Sequence, residues 1–213
     1  MQSSEHLATA TQLATEILKS NRRSLSQCIS LGESTQNHHG ALLAHVFEQL
    51  QHQSTVPLIA KRIGIVGAPG VGKSTLINHI GGVILEQGLR LAILTVDPSS
   101  AVRGGSLLAD VTRMSDIAYH PNVFIRTTPS GQSRGGIAQS TDQAIKLCEH
   151  AGFDVILVES LGSGQADFDL AYVVDLFFCL VCPGAGDDLQ AMKQGVMEWV
   201  DGIIVTQADQ GRE

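Results

Sequence analysis

The sequence predicts an α/β fold: a doubly wound, mostly parallel sheet preceded by an N-terminal helical extension. Three observations carry this prediction. From residue 61 onward, short runs rich in Ile and Val alternate with longer amphipathic stretches, as strands buried on both faces alternate with crossover helices. Before residue 54 the apolar residues recur only at helical spacing. Of the 22 glycines, two precede residue 60 and 20 follow it. The later part therefore needs backbone conformations or close approaches that a Cβ would block.

The elements follow in order. Leu7, Ala10, Ala14, Ile17 and Leu18 share one helix face, as do Leu42, Leu43, Val46, Phe47 and Leu50. Between them Asn21 is placed to cap a helix carrying Leu25, Cys28 and Ile29, and the polar stretch Gly32 to Gly40 reads as a loop. Residues 1–57 are thus a helical extension without a site pattern, and 58–213 the domain that carries chemistry. Strands are predicted at Ile63–Val66, Leu91–Val96, Val123–Ile125, Val155–Val158, Val173–Val181 and Ile203–Val205. One helix stripe runs through Leu76, Ile77, Ile80, Val83 and Ile84 to a stop at Gly88. A second runs from Ile137 to Cys148 and stops at Gly152, and a third spans Leu189 to Val200. In such sheets ligands bind beyond the carboxyl ends of the strands.

Composition excludes several functions. A net charge of −7 argues against non-specific binding to nucleic acid or an anionic membrane. Aromatic residues, at 4%, leave few platforms for stacking bases. The first twenty residues have no basic start followed by an apolar core, so no secretory signal is predicted. The apolar stretch Leu170 to Cys182 contains Asp175 and is too short for a span of about 20 residues. Four cysteines make no disulfide framework, so the expected location is a reducing cytoplasm.

The chemistry starts where the first strand ends. Gly67-Ala68-Pro69-Gly70-Val71-Gly72-Lys73-Ser74 reads G-x-x-x-x-G-K-S, followed by Thr75 at the start of a helix. This is the phosphate-binding loop in the strand-to-helix setting it requires, and it makes the sheet one of the P-loop NTPase type. The glycines let backbone N–H groups curl around an anion, and the helix adds its positive end. Lys73 can reach the β and γ phosphates, and the Ser74 hydroxyl can ligate Mg²⁺. Asp97 ends the second strand and Glu159 follows Val155–Val158, so both carboxylates should share the loop's edge of the sheet and face the metal or its waters. Gly162, three residues after Glu159, is placed where a backbone N–H senses a γ-phosphate.

Taken together, GAPGVGKSTLI, VDPSS, GGSLLADVTRM, GFDVILVESLGSGQ and PGAGDDLQAMKQGVME closely resemble the MeaB/ArgK-type GTPases. That family chaperones adenosylcobalamin-dependent methylmalonyl-CoA mutase. The resemblance covers nearly the whole chain. It implies GTP and GDP as ligands, Mg²⁺ as cofactor and a cobalamin-dependent acyl-CoA mutase as partner, with the nucleotide state gating cofactor delivery or protection. By resemblance, Asp97, Asp110 and Glu159 belong to the Mg²⁺ and switch machinery, and Gln190 and Lys193 to a further segment that responds to the mutase.

The chain departs from the family in the base-reading stretch. The family's N-K-x-D is Thr206-Gln207-Ala208-Asp209 here. Asp209 can still accept the ring N–H and exocyclic amine of guanine, which adenine cannot donate. Gln207 replaces a lysine that covers the base and Thr206 an asparagine that buttresses the site. Each change is expected to weaken binding by about 1 kcal/mol. The chain ends at Glu213, whereas relatives continue with a second guanine-side loop and a helical arm used for dimerisation. A fragment or a shortened product is therefore expected, which puts full affinity and the family homodimer in question. Arg134 stands where relatives have an apolar residue, either as a loop arginine or as a charge aimed at phosphate. A binding module without turnover, or a transport-associated P-loop kinase, remains open beside the GTPase.

Two other patterns are set aside. Cys179 and Cys182 lie three apart on a strand and so face opposite sides. His38, His45 and His52 share a helix face, but steps of about 10 Å are too long to share an ion.

Overall fold

The computed structural model describes residues 2–54, 59–97, 114–129, 136–160, 169–183 and 196–209. Three helices come first: α1 (Gln2–Leu18), α2 (Arg22–Glu33) and α3 (Asn37–Gln53). Asn21 caps α2, its Oδ1 accepting from the amides of Arg23 at 3.0 Å and Ser24 at 3.2 Å. The predicted loop from Gly32 to Gly40 is shorter than its composition suggests. α2 runs through Gly32 and α3 already starts at Asn37, because polar residues such as His38 sit on the exposed side of a helix as readily as in a loop.

After these helices the chain alternates β1 (Lys61–Gly67), α4 (Lys73–Glu86), β2 (Leu91–Asp97), β3 (Val123–Pro129), α5 (Gly136–His150), β4 (Val155–Ser160), β5 (Leu176–Val181) and β6 (Gly202–Val205). The six strands form one sheet in the order β3-β2-β4-β1-β5-β6, with every pair parallel. This is the doubly wound α/β arrangement predicted by the alternation of strands and helices. Gly88 and Gly152 end α4 and α5 at φ of 77° and 80°, the left-handed conformation that glycine accepts at a helix stop.

Alternation along the strands divides the core. Leu94, Val96, Ile156, Val158 and Cys179 belong to one apolar cluster, shared with Ile17, Leu25, Val46 and Ile145 of the helices. Ile65, Ile93, Leu157 and Leu180 belong to a second, under Ile77 of α4. Each such side chain taken out of water contributes roughly 1.5–3 kcal/mol. The helices of the first 54 residues therefore share a continuous core with the sheet. Arg126 of β3 adds a polar tie, donating to Glu33 of α2 at 2.7 Å and to Ser30 at 2.9 Å.

Two predicted elements change. The strand expected at Val173–Val181 begins only at Leu176, because the chain is still turning through Val173 and Asp175 is engaged by the Arg62 amide at 2.8 Å. Of the helix predicted over Leu189 to Val200, the described part is a 3₁₀ turn at Val196–Glu198. Cys179 and Cys182 do diverge: one joins the first cluster and the other packs against the second. His38 and His52 are exposed, and His45 sits 3.1 Å from Glu48 on a partly open face.

Candidate phosphate-binding site

The site forms where β1 passes into α4. Gly70 and Gly72 hold φ of 83° and 99°, a region in which a side chain would be strained. Gly67 meets a different limit: a Cβ there would lie 2.8 Å from the Leu180 carbonyl oxygen and 3.0 Å from Val71 Cγ1. Only a glycine lets β1 end this close to β5. Gly72 is the N-cap of α4 and offers no side-chain cap, so the first amides of the helix remain directed at the loop.

Lys73 opens α4 and is only 5% exposed. Its ammonium bends back over the loop and donates to the carbonyls of Gly67 at 2.7 Å and Ala68 at 3.1 Å. A buried cation needs such partners, since burial without them would cost several kcal/mol. Ser74 lies one residue further along, and its hydroxyl donates to Glu159 Oε1 at 3.3 Å.

Glu159 reaches that position through sheet register. It is the fifth residue of β4, opposite Ile65 of β1 and Thr95 of β2. The sequence places it at the end of the strand, and β4 runs one residue further, to Ser160. Val155 and Leu157 precede it on the α4 side, so the period of two carries the carboxylate beneath the helix start. At 3% exposure it is a buried acid in direct contact with the serine of the phosphate loop. Asp97 is the last residue of β2, opposite Pro129, on the same edge of the sheet. Of Asp97 the structure describes the backbone. Asp110, Gly162, Gln190, Lys193 and Arg134 lie outside the described residues.

The hydroxyl and carboxylate oxygens of Ser74 and Glu159 are hard donors suited to Mg²⁺, an ion that takes few protein ligands and relies on phosphate and water for the rest. No group of three or more His, Cys, Asp and Glu side chains able to hold an ion by itself occurs among the described residues.

The stretch expected to read the base follows β6. Thr206 continues the pairing of β6 by one amide, donating to Val181 O at 2.8 Å. Its hydroxyl lies 2.6 Å from Val71 O and 3.1 Å from Val181 O. Gln207, at a φ of 52°, turns its amide back to Gly70 O at 3.2 Å. Asp209 is exposed, and Thr75 is exposed on the first turn of α4. The contacts of Thr206 were not legible in the sequence. The only available signal was a hydroxyl side chain directly after a strand at the loop's edge of the sheet.

A comparison with known families matches residues 25–213 to the model described as "Methylmalonyl Co-A mutase-associated GTPase MeaB". The chain belongs to the MeaB family. Among MeaB relatives, GTPase ArgK of Escherichia coli is 39% identical over 202 residues, covering 95% of this chain and 60% of its own. The mitochondrial methylmalonic aciduria type A homolog of Mus musculus is 41% identical over 206 residues, covering 93% and 49%. A crystal structure titled as a LAO/AO transport system kinase superimposes with a TM-score of 0.70 at 31% identity, covering 92% of this chain and 55% of that one. The chain thus spans about half to three-fifths of the length of these MeaB relatives. No helix among the described residues is long and apolar enough to cross a membrane.

Proposed function

We propose that the chain binds GTP and Mg²⁺ and hydrolyses GTP, serving as a chaperone that gates cofactor loading or protection of an adenosylcobalamin-dependent acyl-CoA mutase. The observation that carries the nucleotide half of this reading is the contact of Ser74 with Glu159 behind a glycine-shaped loop that already folds Lys73 over its backbone. The partner half rests on the family and on the names its relatives carry. Mg²⁺ would be held by Ser74, with Glu159 and Asp97 on its side of the sheet, and would neutralise charge developing on the transferred phosphate. Lys73 and the amides at the start of α4 hold the β and γ phosphates. Glu159 keeps the Ser74 hydroxyl oriented and lends negative charge where a divalent cation is needed. Asp209 accepts from guanine at the exposed end. Asp110, Gly162, Gln190 and Lys193 supply the nucleotide-sensing and partner-sensing segments in this reading.

Intrinsic turnover is expected to be slow, since no water-positioning glutamine or cis arginine finger is evident among the described residues. Single-turnover hydrolysis with and without a cobalamin-dependent mutase tests the proposal. Phosphate release that rises with the mutase supports it, and rates indifferent to any mutase sink the partner-gated version. A second reading, a binding module without turnover, is favoured by the replaced base-reading residues Thr206 and Gln207. Tight Mg²⁺-dependent GTP binding without phosphate release would select it. Transfer to an acceptor other than water would instead select a kinase.

A further inference from the structure

We infer that Tyr172 and Trp199 form a docking surface for a protein partner that presents an arginine, on the edge of the sheet opposite the phosphate loop. The inference does not depend on what the loop binds.

Both rings stand in short turns that lead into strands. Tyr172 lies in the turn closed by the Val173 amide on Leu170 O at 3.0 Å, ahead of β5. Trp199 follows the 3₁₀ turn Val196–Glu198, ahead of β6. Because β1, β5 and β6 run parallel, the starts of β5 and β6 share one edge, and the loop after β1 lies at the other. The two ring centroids are 5.2 Å apart, with the planes tilted by 55°. Tyr172 is nevertheless 68% exposed and Trp199 48%, and Leu176 at the start of β5 is exposed as well. Such a pair hides its rings only in part, and clustered apolar surface left open to water marks interaction sites.

The charges around the pair decide what it fits. Asp175, Glu198 and Asp201 are exposed and lie within three residues of one ring or the other. The sheet fixes two of these carboxylates. Asp175 Oδ2 accepts from the Arg62 amide at 2.8 Å, and Asp201 Oδ2 from the Phe177 amide at 2.7 Å. None of the three is in an ion pair among the described residues, and neither ring has a cation over its face there. Arg62 starts on the same edge, but its guanidinium is engaged by Glu149 at 2.7 Å.

An aromatic face attracts a cation through the ring quadrupole, and carboxylates at the rim add charge attraction. The guanidinium group serves both at once: it stacks flat on a ring while its N–H groups fork to a carboxylate. A lysine ammonium is more strongly hydrated and gains less from the ring. Tyr, Trp and Arg are also the side chains in which interfaces concentrate binding energy. The net charge of −7 steers a basic partner toward the chain at longer range.

Trp199 is the single tryptophan of the chain, so its fluorescence reports on this surface. The whole chain is titrated with a blocked glycine–arginine–glycine–arginine–glycine peptide, then with the same peptide carrying lysine or uncharged citrulline in place of arginine. The arginine peptide is expected to shift the emission saturably. The lysine peptide should bind several-fold more weakly, and the citrulline peptide should leave the spectrum unchanged. Tyr172→Leu and Glu198→Gln, both at exposed positions, should each weaken the arginine peptide roughly two- to fivefold, the scale of one exposed cation–π contact or ion pair. Thermal unfolding shows whether each variant folds, and either one carries the test if the other does not. Equal binding of the arginine and lysine peptides would overturn the inference, as would an emission that ignores all three peptides. Variants that bind as tightly as the unsubstituted chain would also overturn it. An emission shift that follows protein concentration, with a dimer in sedimentation and no response to peptide, would assign the surface to a second copy and overturn it too.

Discussion

Ser74 Oγ stands 3.3 Å from Glu159 Oε1, joining the first turn of α4 to the interior of the sheet across 85 positions of sequence. Neither partner has much choice of position. Ser74 is set by the helix start and Glu159 by the register of β4 between β1 and β2. Ser74→Ala removes the hydroxyl and leaves a buried carboxylate facing a methyl group. GTP affinity in Mg²⁺ is expected to fall by roughly tenfold or more, the scale of one charge-assisted hydrogen bond. Affinity in EDTA should change far less. Titration in the two buffers checks this, and equal losses in both would contradict a role at the metal.

Two glycines should respond in opposite directions to the same substitution. Gly67→Ala drives a Cβ to 2.8 Å from Leu180 O and should destabilise the fold by about 1–3 kcal/mol. Gly40→Ala, in α3 with nothing within 4 Å of the added Cβ, should stabilise it by about 0.5–1 kcal/mol. Urea unfolding of the two variants measures both.

Arg126 and Glu33 form a largely buried pair at 2.7 Å, with side-chain exposures of 22% and 14%. Burial raises the Glu33 carboxyl above its ordinary value, and the Arg126 charge and hydrogen bond pull it back only in part. A raised carboxyl contributes stability that is present below the unfolded value near 4.5 and is lost as pH climbs through the folded value. Arg126→Ala removes the opposing charge and raises Glu33 further. Its cost should therefore grow with pH, reaching about 2–3 kcal/mol near neutrality and shrinking toward pH 4.5. A cost independent of pH would show that Arg126 contributes only packing.

His150 closes α5, and its Nδ1 is buried with no hydrogen-bond partner among the described residues. Burial lowers its pKa below the ordinary 6.5, so the folded state prefers the neutral ring. Its contribution is present above pH 6.5 and is lost as pH falls through the lower folded value. The unsubstituted chain should therefore lose more thermal stability between pH 7.5 and pH 5.5 than His150→Leu. An identical loss in both would show that the ring titrates alike in the folded and unfolded states.

Legibility followed the range of the determining interactions. The phosphate loop was readable because its glycines, lysine and serine are contiguous. The strands were readable because burial on both faces leaves unbroken Ile and Val. The boundary at Leu176 was not, since Val173 and Val174 are as apolar as the strand they precede. What stops the strand is the turn itself and the Arg62 amide, 113 positions away, engaging Asp175. The early start of α3 was hidden for the converse reason, because an exposed helix face tolerates the composition of a loop.

Local residue pattern is enough to specify the doubly wound class, the loop that turns from β1 into α4, and the residue types gathered at the sheet's carboxyl edge. Periodicity and left-handed glycines act within a few residues and need no distant partner. The folded arrangement is what brings Glu159 to Ser74, Thr206 and Gln207 to Val71 and Gly70, and the first helices into one core with the sheet. Those contacts depend on strand order and register, which bring remote segments within hydrogen-bond reach, and local sequence carries little record of either.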